Sequence, residues 1–140
     1  MKGVYMPNLY ENPNGTEFAV LISPGWGAGW STWAEPEIAY DKRVVEFWLS
    51  HKDDEKFMRT VSQWGFSEAS HESHESEAHK KAVQFFESIG YRECPYLGGF
   101  NNLKLVWVPY GSLWRIREYD GAESIEFLED AGFTCFNKGA

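Results

Sequence analysis

The chain predicts an α+β fold, a single domain over residues 1–140 with central helices packed on one face of a mostly antiparallel sheet. Three observations predict it. The run Phe18-Ala19-Val20-Leu21-Ile22 is continuously apolar and reads as a strand buried on both faces. The middle of the chain carries apolar residues at helical spacing, and from Tyr91 onward the period changes to two. Strands near both ends with helices grouped between them give the α+β pattern.

Composition narrows the partners. Hydrophobic residues make up 43% and charged residues 24%, a globular rather than disordered balance. Aromatic residues reach 17%, including 7 Trp, more than a core of this size requires, so some are expected at a surface or pocket. A net charge of −8 argues against binding a nucleic-acid backbone or an anionic membrane, because both need a cationic face. A basic protein surface would suit this charge, although solubility alone also explains it. Cys94 and Cys135 form no CxxC, and no apolar run is long enough to span a membrane. Residues 1–7 lack the apolar stretch of a signal peptide. A cytoplasmic protein with reduced thiols is expected.

Each element follows from local chemistry. Val4–Met6 is an expected edge strand, and Asn12-Pro13-Asn14-Gly15 a turn, since Asn and Gly tolerate positive φ. A strand follows at Thr16–Ser23. A helix is expected over residues 35–51, with Pro36 in its first turn and its cap near Ser31, Thr32 or Ala34. Ile38, Val45, Trp48 and Leu49 form its apolar stripe, while Asp41, Lys42 and Arg43 face outward. A second helix is expected over Asp53–Gln63, with Phe57, Val61 and Trp64 inward. The Ser/Glu/His-rich tract 65–77 reads as a loop or as the solvated start of a third helix, which ends at Gly90. Leu103–Val108 and Leu113–Tyr119 alternate as strands. The second puts Trp114, Ile116 and Glu118 on one face and Arg115, Arg117 and Tyr119 on the other. Asp120-Gly121 is a hairpin signal; residues 123–128 are a strand or short helix, and Phe133–Phe136 a last strand.

The stretch Ser23-Pro24-Gly25-Trp26-Gly27-Ala28-Gly29-Trp30-Ser31-Thr32-Trp33 carries the most chemistry. Its glycine spacing matches neither a dinucleotide fingerprint nor a Walker loop. A strand, a glycine-rich loop and a helix in succession nevertheless aim backbone N–H groups at one point, beside a positive helix end. An anion would be held there by Gly25, Gly27 and Gly29, with Trp26, Trp30 or Trp33 stacking on a ring. Equally, these tryptophans could fill the end of the core. Arg115 and Arg117 can bind an anion bidentately or pair with Glu123 and Glu126 across the hairpin. His71, His74 and His79, with glutamates between them, are weak metal candidates that fit no zinc signature, and a solvated acidic loop is the favoured reading. Ser23 lies before Pro24 without a nucleophile elbow, and neither cysteine shows a sign of activation. No enzymatic activity and no cofactor are expected.

Two stretches, residues 21–33 and Trp114-Arg115-Ile116-Arg117-Glu118-Tyr119-Asp120-Gly121-Ala122-Glu123-Ser124-Ile125-Glu126, resemble segments of small uncharacterised proteins encoded by bacteriophages and prophages. The resemblance covers about a fifth of the chain and transfers no activity. It implies a setting in which small acidic proteins act by binding.

The leading expectation is a non-enzymatic protein that captures a small anionic, ring-containing ligand such as a nucleotide signal. Gly25, Trp26, Gly27, Gly29, Trp30, Trp33, Arg115, Arg117 and Tyr119 would form its site. That requires the loop to meet the hairpin in space. The alternative is an interaction module that inhibits a host protein through an acidic, aromatic surface. A nucleotide or sugar hydrolase is a third reading, and self-association into a homo-oligomer is left open.

Overall fold

The computed structural model of the protein describes residues 8–25, 30–62, 77–91, 94–127 and 134–138. The fold is α+β and is organised around β1 (Glu17–Ile22). β1 pairs antiparallel with β2 (Lys104–Pro109), setting Phe18 opposite Val108 and Leu21 opposite Leu105. On its other edge Ala19 N donates to Tyr10 O at 2.8 Å, so the chain entering β1 runs back beside it. Asn12 fixes that reversal, its Oδ1 accepting from the N–H groups of Thr16 and Glu17.

A second antiparallel sheet, in the order β4-β3-β5, is formed by β3 (Leu113–Tyr119), β4 (Ala122–Phe127) and β5 (Thr134–Cys135). The β3–β4 turn has Asp120 at φ 50° and Gly121 at φ 89°. Two consecutive positive φ values match the twist of a two-residue hairpin, which is why Asp-Gly sits there. One mostly antiparallel sheet was expected; the described strands form two. The reason lies in β1, which is apolar on both faces and therefore needs two covering layers. Phe18, Val20 and Ile22 pack with Val108 and Trp114 toward the second sheet. Ala19 and Leu21 pack toward the helices.

That helical layer contains α1 (Lys42–His51), α2 (Glu55–Ser62) and α3 (Glu77–Ser88). Val44, Val45, Met58, Val61 and Phe86 line its buried side. Phe47 and Phe85 stack with centroids 4.0 Å apart, fastening α1 to α3. Asp54 Oδ1 accepts from Phe57 N at 3.0 Å at the start of α2. Gly90, at φ 99°, follows the end of α3 as its stop signal requires.

The expected helix over residues 35–51 is interrupted. Pro36–Ala39 forms one 3-10 turn, Asp41 is extended at ψ 121°, and α1 begins only at Lys42. Asp41 acts as a cap rather than an outward helical residue: its Oδ1 accepts from Arg43 N at 2.9 Å, and its other oxygen accepts from Tyr91 OH at 2.9 Å. Residues 4–6, Trp64 and the tract 65–76, for which expectations were stated, lie outside the described residues. No helix among the described residues is long and apolar enough to cross a membrane.

Candidate functional site

The glycine-tryptophan loop leaves β1 at Ser23 and returns at Trp30, and both ends are tied to the hairpin by Glu123 of β4. The Glu123 carboxylate is buried, the residue being 3% exposed. Its Oε1 accepts from Ser23 N at 3.0 Å, and Glu123 N donates to Ser23 O at 2.7 Å. Oε2 accepts from Trp30 N at 3.1 Å, from Thr32 N at 3.0 Å and from Thr32 Oγ1 at 2.7 Å. Charge-assisted bonds to a buried carboxylate are the strong class, and together they satisfy an anion that would otherwise be costly to bury.

This bears directly on the anion-binding expectation. Backbone N–H groups do converge at the loop ends, but their anion is the chain's own Glu123. The helix end that was to add a positive dipole is also elsewhere, because α1 starts at Lys42. Of the two acids named as partners for the arginines across the hairpin, Glu126 takes that role and Glu123 does not. Arg115 Nη2 lies 2.8 Å from Glu126 Oε1, and Arg117 Nη1 lies 2.9 Å from Oε2. Hydrogen bonding from Arg115 holds the Glu126 carboxyl below the usual carboxylate range, with Arg117 assisting against partial desolvation.

The expected site residues disperse. Trp30 is 1% exposed and packs with Phe86 and Phe100 at centroid distances of 6.3 and 5.8 Å. It is core, so its ring offers no free face to a ligand. Gly25 is half-buried, and a Cβ there would meet nothing within 4 Å. Trp33 is 51% exposed and lies 6.0 Å from the Tyr96 ring, in a cleft of about 430 Å³ shared with Glu35, Ile38 and Cys94. Tyr119 is exposed at the turn end of β3, beyond either cleft named here. Trp26, Gly27 and Gly29 lie outside the described residues, as do His71 and His74. His79 is buried on α3, and no group of His, Cys, Asp and Glu among the described residues could hold a metal ion.

The loop ends do reach the hairpin, but through Glu123, on the face of β3 and β4 that carries Trp114 and Ile116 and opposite to the face of Arg115, Arg117 and Tyr119, so the glycine loop and the arginines do not share one site. Between them lies a second cleft, of about 260 Å³, walled by Ser31, Thr32, Tyr40, Trp114, Arg115 and Ile116. Ser31 is 1% exposed and Trp114 is 3% exposed. Ser31 Oγ and Trp114 Nε1 are both buried without a hydrogen-bond partner among the described residues. Buried polar atoms are ordinarily paired, and an unpaired one costs about 1–3 kcal/mol. Each of the two atoms exposes less than 1 Å², so both lie behind the cleft surface and are not open to it. No protein-family model, curated protein or solved structure matches this chain.

Proposed function

We propose that this is a cytoplasmic binding protein that captures a small ring-containing ligand in the cleft between the loop end and β3. The observation that carries the reading is the cleft of about 260 Å³ itself, walled by the loop end on one side and by Tyr40, Trp114 and Ile116 on the other. The aromatic walls from Tyr40 and Trp114 suit a planar ring. Glu123 occupies the backbone N–H groups of Ser23, Trp30 and Thr32 at the loop ends, so in this reading the ligand lies in the cleft and not on those amides. Sequestration of a nucleotide signal is the biological role that the resemblance to phage-encoded segments would suit. Native mass spectrometry of protein purified from cells, followed by a thermal-shift screen of nucleotides and aromatic acids, tests the reading. A retained ligand, or a rise of several degrees for one class, supports it. A clean apo mass with no shift across the panel contradicts it.

A second reading rests on Trp33, half-exposed beside Tyr96 in the larger cleft. Exposed tryptophans are frequent anchors of protein interfaces. Here the chain would bind a host protein, and Trp33→Ala would lose it in a pull-down while leaving small-molecule binding intact.

A further inference from the structure

We infer that the larger cleft, of about 430 Å³, takes a basic side chain, lysine or arginine, presented by a partner protein. The inference rests on the interface reading of Trp33 above and names the partner chemistry that this surface selects.

Ile38, 1% exposed, and Pro95, buried, form the apolar floor of the cleft, and Cys94 stands beside them half-buried. Trp33 and Tyr96 line it with ring centroids 6.0 Å apart and planes at 43°. Rings that close admit no group between them, so they present one angled aromatic wall. Glu35 lines the same cleft and is exposed. It precedes the 3-10 turn Pro36–Ala39, and its side chain makes no cap hydrogen bond there. Its carboxylate has no hydrogen-bond or ion-pair partner among the described residues. No lysine, arginine or histidine stands among the described residues that line the cleft.

A cation there meets the negative ring faces and an unengaged carboxylate, whereas an anion meets no opposite charge. Lysine and arginine also carry an aliphatic stem that lies along apolar surface while the charged head stays at a polar rim. That form matches a floor of Ile38 and Pro95 below Glu35 and the two rings. A free small cation would leave Trp33, 51% exposed, largely in water. A protein surface that presents the basic group covers that indole as well, which is how tryptophan anchors act. The net charge of −8 steers a basic surface toward this chain.

The probes are blocked pentapeptides of glycine and serine around one central arginine, lysine or citrulline, with choline as a free cation. Citrulline keeps the shape of arginine and removes its charge. Binding is read from the 1H–15N indole signal of Trp33, assigned by its absence in Trp33→Ala, in the wild-type chain and in Glu35→Gln. Both substitutions fall at exposed positions, so the fold is retained.

The expected result is a saturable shift of the Trp33 signal with the arginine or lysine peptide, at least about fivefold weaker for the citrulline peptide, with about fivefold lost in Glu35→Gln. Equal affinity for the arginine and citrulline peptides overturns the assignment, as does unchanged affinity in Glu35→Gln. Choline that binds where neither charged peptide does overturns it too, and gives the cleft to a free cation. A protein held by the wild type and lost in Trp33→Ala, with neither charged peptide bound, overturns the basic-side-chain assignment and leaves the interface reading standing. Pull-downs that Trp33→Ala leaves unchanged, with no peptide bound, overturn both.

Discussion

Thr32 and Glu123, 91 residues apart in sequence, are joined by two hydrogen bonds to one carboxylate oxygen, from Thr32 N at 3.0 Å and from Thr32 Oγ1 at 2.7 Å. The contact closes the glycine-tryptophan loop onto the hairpin and shapes the cleft beside it. Glu123→Gln is isosteric, yet its NH2 would face N–H donors wherever it was placed. We expect it to cost about 3–5 kcal/mol, as much as Glu123→Ala, while Thr32→Val costs about 1–2 kcal/mol. Urea unfolding midpoints check both values. A neutral Glu123→Gln would show that the carboxylate does not hold the loop.

The two described tryptophans of the loop should behave oppositely. Trp30→Ala empties a core position between Phe86 and Phe100 and is expected to destabilise by about 3–5 kcal/mol. Trp33→Ala, at a half-exposed position, should stay within about 0.5 kcal/mol of the wild type. Thermal unfolding of the pair separates them.

Stability should fall on the acid side. Hydrogen bonds from Lys138 and Tyr110 lower the Glu11 carboxyl, and Arg115 and Arg117 lower Glu126. For Asp41, burial pushes upward, but the bonds from Arg43 and Tyr91 outweigh it and leave the group lowered. A carboxyl that is lowered in the fold adds stability above its unfolded pKa, and that stability drains as pH falls through the folded value. Asp41→Asn should therefore flatten the acid limb of a Tm-against-pH curve. An unchanged limb would remove Asp41 from this account.

The thiols should differ in rate. Burial, aided by the charge of Glu87, pushes Cys94 up to about 12, so at neutral pH it stays protonated and slow toward maleimide. Cys135 is half-exposed on β5 and should react first. Peptide mapping after a short pulse identifies the modified residue, and dominant labelling of Cys94 would contradict the burial argument.

Much of the fold was legible because it depends on local pattern. Phe18–Ile22 announced a strand covered twice, and Asp120-Gly121 announced the hairpin. The break at Asp41 was hidden: an aspartate amid helical spacing reads as solvated surface until its cap bond and Tyr91 are seen. The role of Glu123 was partly readable. A two-residue turn pairs Tyr119 with Ala122 and hence Glu118 with Glu123, placing that acid on the face shared with Trp114 and Ile116. An inward acid must find donors, but nothing local says that the loop near Ser23 supplies them. The cleft itself arises from the meeting of residues about a hundred positions apart, which no sequence window spans.

The central claim is that the cleft between the loop and β3 receives a small ring-containing ligand. Its most direct test is the 1H–15N spectrum of the indole N–H groups during titration with whichever compound class raises the melting temperature, the Trp114 signal being assigned by its loss in Trp114→Phe. The account predicts that this signal, from a ring in the cleft wall, shifts and saturates with the ligand. A saturating ligand that leaves the Trp114 indole signal in place would contradict it.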